Sequence, residues 1–217
     1  MSKGYFITLE GADGSGKTTQ AKLLVEYFKN HGYDTILTRE PGGTPLAEEI
    51  RRVILTPSRE NLEPMAEILL YAASRAQHVH QLIKPSLAEG KVVVCERFID
   101  SSLAYQGYAL GWDLEIIKQI NRIAAGNLEP DLTFLIDIDT ERCLNRVHNR
   151  SDATRSKVDR IESRGLSFQA KVRDGYLELA MFNPRIIVIN GSQKGIKEIN
   201  NEITSLVRKF IEGRLKL

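Results

Sequence analysis

Gly11-Ala12-Asp13-Gly14-Ser15-Gly16-Lys17-Thr18 sets the architecture of this chain. The segment satisfies the pattern G-x-x-x-x-G-K-[ST] at every fixed position, and its surroundings supply the structural context the pattern needs. Upstream, Tyr5 to Leu9 is an apolar run of strand length. Downstream, Lys17 to Asn30 carries Ala21, Leu24, Val25 and Phe28 on one helical face. A strand that turns through glycines into a helix aims backbone N–H groups at phosphate oxygens from the positive end of that helix. Lys17 adds a point charge near the β- and γ-phosphates, and Thr18 offers a hydroxyl to Mg²⁺. The alternative is a glycine-rich turn that matches by chance, against which the flanking strand and helix count. The segment, extended to Thr19, therefore predicts a cradle for a nucleoside triphosphate with Mg²⁺.

Outward from this point, apolar runs alternate with helical stretches, the signature of βαβ units around a parallel sheet. Thr35 to Thr38, Lys91 to Cys95, Leu132 to Asp137 and Arg185 to Ile189 read as further strands. Val92-Val93-Val94 marks a strand covered on both faces. Helices are expected over Pro45–Leu55, Pro64–Glu89 with a kink or break at Pro85, Asp113–Ala125, Thr140–Asn149, Glu162–Met181 and Lys194–Lys209. Asn149 to Asp159 is polar, nearly devoid of large apolar residues, and reads as a mobile loop or lid. The expectation is an α/β fold with five parallel strands and helices on both faces. It is one domain over residues 1–217, with a short lid at about 149–160.

The 217 residues carry a net charge of +2, from 30 Lys and Arg against 28 Asp and Glu. That balance makes no electrostatic case for nucleic acid. No run of about 18 apolar residues offers a membrane span. The first apolar run, ended by Glu10, is too short for a secretory signal. Cys95 and Cys143 stand far apart with no metal-binding spacing, which fits a reducing, cytoplasmic setting. His78 and His80 do not share a helix face and are not expected to bind metal.

A triphosphate site can drive a switch, a motor or a phosphoryl transfer, and other residues must decide which. Glu96 and Arg97 follow the Lys91–Cys95 run, and ligands of open α/β sheets bind beyond the carboxyl ends of the strands. Glu96 is suited to Mg²⁺ or its waters. Arg97, permanently charged, suits a phosphate lying between donor and acceptor. Arg39, ending the second expected strand, points to the same crevice by the same geometry. On this pattern alone, Glu96 and Arg97 also read as an ordinary surface ion pair.

Several blocks resemble the thymidylate kinase family: Phe6 to Gln20, Arg39-Glu40-Pro41-Gly42-Gly43-Thr44, Tyr71-Ala72-Ala73-Ser74-Arg75, Glu96 to Gly107, Asp159-Arg160-Ile161-Glu162 and Gly175 to Ala180. The Arg-Glu-Pro-Gly-Gly-Thr and Ser-Ser-Leu-Ala-Tyr-Gln-Gly segments are the most specific. The resemblance implies a P-loop kinase fold, usually a homodimer, that transfers the γ-phosphoryl group of ATP to dTMP and releases dTDP and ADP. It implies that Arg97 holds the acceptor phosphate with Arg39 close by, and that Tyr71 stacks on thymine where the family usually has phenylalanine. Arg75, four residues on, would donate to a thymine carbonyl. Gln106, one turn beyond Ser102, would read the imide edge, since an amide can donate and accept at once. Tyr105 would crowd the sugar 2′ position, and Asp13 would lie near the acceptor sugar or its phosphate. Read without the resemblance, Tyr71 is also a core residue of an apolar helix, and Ser101-Ser102 a helix cap. Two departures stand out: Glu96 replaces the commoner aspartate and Phe98 a frequent tyrosine.

Loose phosphoryl-transfer transition states need cations, and apart from Lys17 the cradle has none at its variable positions Ala12, Asp13 and Ser15. Arg142, Arg146 and Arg150 are spaced by four, and Arg155 and Arg160 follow. Arg142 reads as a solvated basic face. Arg150 and Arg155 read as catalytic lid arginines closing over ATP, the bacterial style within the resembled family. Asn190-Gly191-Ser192-Gln193 lies where related kinases clasp adenine. Two alternatives remain at this point. One is a kinase for dUMP or a ribonucleotide. The other is a P-loop switch ATPase, which leaves Arg39, Arg75, Arg97 and Gln106 without a role.

Overall fold

The computed structural model of the protein describes residues 4–57, 62–154 and 159–213, the side chains of 150–154 excepted. Its strands are β1 (Tyr5–Glu10), β2 (Thr35–Arg39), β3 (Val92–Glu96), β4 (Leu132–Asp137) and β5 (Ile186–Asn190). They form one parallel sheet in the order β2-β3-β1-β4-β5, so the strand that feeds the glycine-rich turn lies at the centre. Leu9 and Arg39 both align with Glu96, which brings the carboxyl ends of three strands to one edge. The helices are α1 (Lys17–Asn30), α2 (Pro45–Leu55), α3 (Pro64–His78), α4 (Lys84–Ala88), α5 (Ile99–Ser102), α6 (Leu114–Ala125), α7 (Thr140–Thr154), α8 (Gly165–Phe182) and α9 (Ile196–Ile211).

Strand alternation divides the core into layers. Ile7 and Leu9 of β1 and Val92 and Val94 of β3 pack with Leu24 and Phe28 of α1 and Ile203 of α9. Phe6, Val93 and Cys95 face the other way, onto Val79, Ile83 and Phe98. Beside that layer, Val172 and Tyr176 of α8 pack on Leu135, Ala104 and Tyr105. Among the described residues, no helix is long and apolar enough to cross a membrane.

Four local departures from the sequence pattern matter. The helix expected over Pro64–Glu89 is divided by a π-helical turn, Val79–Ile83, in which the Lys84 N–H bonds the Val79 carbonyl five residues back. Pro85, which has no N–H to donate, sits in the first turn of α4, where that loss costs least. A second π-helical segment, Leu103–Ala109, continues α5 and carries Tyr105 and Gln106; no hydrophobic period marks it in the sequence. The polar run from Asn149, expected as a loop, begins as the last turns of α7, because nothing before Thr154 is a glycine or proline that would stop a helix. The expected helix Glu162–Met181 starts as a 3-10 turn, Glu162–Arg164, before α8.

Candidate active site

The cradle is set by backbone geometry. Gly16, at φ 97°, caps α1 in the left-handed region, and the first turn of α1 holds no acid. The helix N–H groups are therefore left to an anion. Gly14, at φ 82°, passes so close to α7 that a Cβ there would meet the Cys143 carbonyl at 2.2 Å. Lys17 Nζ donates to the Ala12 carbonyl at 2.7 Å, and the buried Ser15 Oγ has no partner among the described residues. Burial foremost, then the Arg97 charge, lowers Lys17 to about 8, against the pull of Asp13, Glu96 and Glu10. Gly11, Ala12 and Asp13 enter the turn, and Thr18 and Thr19 lie exposed on the first turn of α1. The Thr18 hydroxyl donates to both Glu96 oxygens, at 3.0 and 2.8 Å. A hydroxyl and a carboxylate side by side at the cradle's mouth are the hard oxygen ligands that suit Mg²⁺.

Arg97 stands at the joint between cradle and cleft, in the left-handed region at φ 68°. Its Nη2 donates to Asp13 Oδ1 at 2.7 Å and to the Tyr105 hydroxyl at 3.0 Å. Its Nη1 donates to the Tyr176 hydroxyl at 3.1 Å and Ser101 Oγ at 3.3 Å. The guanidinium also lies 4.9 Å from the Tyr105 ring centroid. Burial alone would raise Asp13, but the Arg97 and Lys17 charges outweigh it and hold the acid down to about 2.

Behind Arg97 sits Glu10, a residue to which the sequence pattern assigns no role. Glu10, fully buried, accepts from the Phe98 N–H at 2.7 Å, Ser101 Oγ at 2.6 Å and the Tyr176 hydroxyl at 2.8 Å. Burial first, and the Asp100 charge second, push it up to about 7. Ser101 and Tyr176 thus meet Glu10 on one side and Arg97 on the other.

A cleft of about 530 Å³, open to solvent, extends from Asp13 and Arg97 past Tyr105, Ser102 and Gln106 to Tyr71 and Arg75. Arg75 is 2% exposed and donates through Nε to Glu40 at 2.8 Å. Its Nη1 donates to Ser102 and Asn121, and its Nη2 to the Phe98 carbonyl at 3.0 Å. Four of its five N–H donors are thereby used, and one on Nη2 is left. Ser102 acts as a side-chain acceptor inside α5 rather than as a cap. Gln106 donates its amide to Glu67 at 3.0 Å. His78, also buried, bonds Thr38 Oγ1 at 2.6 Å and Glu40 at 3.1 Å, a structural role. Among the described residues no group of three His, Cys, Asp or Glu could hold a metal.

The structure brings Asp13, Tyr71, Arg75, Arg97, Ser102, Tyr105 and Gln106 to one cleft. Arg39 does not line it: β2 is an edge strand, and the half-exposed Arg39 is paired with Glu48 of α2 at 3.0 Å. Arg51 does line it, reaching the Pro41 carbonyl from α2 at 2.9 Å. Its place, two turns into the helix after the Arg39–Thr44 segment, was the signal available. Arg146 donates to the Gly14 carbonyl of the cradle at 3.2 Å, and Arg142 to the Ser192 carbonyl. Arg155 and the Arg150 side chain lie outside the described residues.

Residues 9–203 match the family model described as Thymidylate kinase. The thymidylate kinase of Exiguobacterium sibiricum is 44% identical over 214 residues, covering 99% of this chain and 99% of its own length. That of Syntrophotalea carbinolica is 46% identical over 200 residues, 92% of this chain and 93% of its own. Among solved structures, the crystal structure of thymidylate kinase from Ehrlichia chaffeensis matches with a TM-score of 0.77 and 37% identity, over 95% of this chain and 99% of that one.

Proposed function

The chain belongs to the thymidylate kinase family and phosphorylates dTMP to dTDP with ATP, and from that premise we propose which of its residues do the work. The observation that carries the reading is the single cleft joining a phosphate cradle to a buried arginine with one spare donor. At the donor end, the backbone of Gly11, Ala12, Asp13, Gly14, Ser15 and Gly16 binds the ATP phosphates, with Lys17, Thr18 and Thr19 on the first turn of α1. Thr18 and Glu96 hold Mg²⁺, which when bound neutralises charge on the phosphate oxygens. Lys17 stabilises charge on the transferred group. Arg150 and Arg155, on a lid at about 149–160, close over ATP and exclude water.

At the acceptor end, Arg97 meets the dTMP phosphate. Its guanidinium is anchored on Ser101 and Tyr176 through Nη1, so the Nη2 bonds to Asp13 and Tyr105 are the ones an incoming phosphate competes with. Arg39, on the neighbouring strand of the same sheet edge, would reach the acceptor phosphate only by leaving Glu48. No general base is needed, since the attacking phosphate oxygen is already ionised near neutral pH. Tyr71 stacks on thymine, and the spare Arg75 Nη2–H donates to a thymine carbonyl, a position where the cytosine amino group could not accept. Tyr105, pinned between Arg97 and Asp13, stands against the sugar 2′ position. One coupled assay of ADP release, with dTMP, dUMP, CMP, GMP or no acceptor, tests the whole reading. Turnover with dTMP well above the others is expected; acceptor-independent turnover would refute the transfer.

A homodimer is part of the same proposal. Leu46 and Val53 of α2, Leu69 of α3, and Ile116 and Ile123 of α6 are all exposed apolar residues, and α3 packs against both α2 and α6. Their neighbouring apolar surfaces suit a second copy of the same face.

A further inference from the structure

Glu67 is the most deeply buried acid facing the base end of the cleft, at 1% exposure, yet it does not line the cleft itself. It belongs to a stripe on α3, Glu67, Tyr71 and Arg75, spaced by four and therefore stacked on one helix face. Two groups meet its carboxylate. Gln106 Nε2 donates to Oε1 at 3.0 Å, and Arg164 reaches it with both terminal nitrogens, Nη1 on Oε1 at 3.3 Å and Nη2 on Oε2. Arg164 is fixed in turn over the Phe168 ring, 4.9 Å from its centroid.

An amide reads a base according to which end it presents, and the two ends are nearly isosteric. The Glu67 carboxylate accepts from the Gln106 NH₂ group. The Gln106 Oε1 is then turned away from Glu67, and it has no hydrogen bond to any described residue while Gln106 lines the cleft. An oxygen presented to the base accepts from the N3–H of thymine or uracil. Against the lone pair on N3 of cytosine it is repulsive. The acid therefore selects the pyrimidine without touching it.

We propose that Glu67, held in place by Arg164, is a positioning residue that fixes the orientation of the Gln106 amide and thereby sets the preference for an imide base over cytosine. The proposal rests on the assignment of Gln106 to the base edge, and the test separates the two. In E67Q the introduced amide gives its oxygen to Arg164 and its NH₂ to Gln106, which turns the Gln106 NH₂ toward the base. The kcat/KM ratio for dTMP over dCMP is expected to fall on the order of tenfold or more, since a hydrogen-bonding site discriminates by the partner it leaves unpaired. The change should lie in the pyrimidine nucleotide KM, with the ATP KM and the melting temperature near wild type. Gln106→Ala is measured alongside. If Q106A lowers the ratio and E67Q does not, the positioning role is wrong and the base assignment stands. If Q106A also leaves the ratio unchanged, the base assignment falls and takes the proposal with it. Should E67Q not fold, the double variant Glu67→Met with Arg164→Leu removes both charges together and strands neither. It carries the same expectation, and an unaltered ratio there overturns the proposal.

Discussion

The two ends of the cleft solve recognition in opposite ways. At the base end, side chains are buried and committed before any ligand arrives: Arg75 has four partners, and Glu40 and Glu67 hold the groups that face the base. At the ATP end, backbone N–H groups of the cradle stand beside Lys17, and two arginines of α7 at exposed positions rest on carbonyls, Arg146 on Gly14 and Arg142 on Ser192. The difference follows from what each end must tell apart. A base is distinguished by the direction of two or three hydrogen bonds, which requires rigid partners. A polyphosphate is recognised by charge, and cations that gather around it can come from loosely held side chains.

The contrast can be broken most forcefully at the cradle. Lys17→Ala should lower kcat on the order of a thousandfold while leaving the dTMP KM nearly unchanged, because Lys17 stabilises charge on the transferred group. Steady-state kinetics check it, and a fall confined to the dTMP KM would place Lys17 at the wrong end. The same lysine gives the contrast a pH signature. Its value of about 8 means that free enzyme loses the cradle's charge as pH rises through that point, so the ATP kcat/KM should decline above it. Lys17→Arg, which stays charged, should flatten that limb even though it lowers the overall rate.

The base end should respond differently. Arg75→Ala is expected to raise the dTMP KM by on the order of a hundredfold with little change in the ATP KM. It should also lose about 3–5 kcal/mol of stability, since Glu40 would be left buried beside His78 without its cation. Thermal melting and a KM comparison read both effects, and an unchanged dTMP KM removes Arg75 from the base site. The smallest effect lies outside the cleft. Ile123, 81% exposed on α6, should tolerate Ile123→Asp with folding intact, while the dimer weakens in sedimentation velocity. A dimer that withstands I123D together with V53D would place the interface elsewhere.

The sequence made the phosphate end legible because its chemistry is local. Eight consecutive residues, a strand before and a helix after place its glycine-rich turn. Part of the base end was legible for a similar reason, as Tyr71 and Arg75 are one helical turn apart. What stayed hidden are contacts between distant segments. Glu10 meets Tyr176 across 166 positions and Arg164 meets Glu67 across 97, and no local pattern distinguishes a buried acid from an exposed one. The stripe Glu67, Tyr71, Arg75 could have been read from its spacing, but its acid has meaning only once Gln106 and Arg164 are folded against it. Arg39 shows the converse limit. Position at a strand's end points a residue to the right edge of the sheet, but only strand order reveals that β2 is outermost and its arginine free to turn to Glu48.

Glu10 and Gly11 are neighbours in the chain, and one belongs to each end of the cleft. The Glu10 carboxylate braces the hydroxyls that anchor Arg97, while the next residue opens the turn that receives ATP. Consecutive Cα atoms are about 3.8 Å apart across a trans peptide, and that spacing does not stretch. The acid behind Arg97 and the glycine that opens the phosphate turn are therefore joined by one covalent link in the main chain. A one-residue insertion between positions 10 and 11 would throw both ends out of alignment at once.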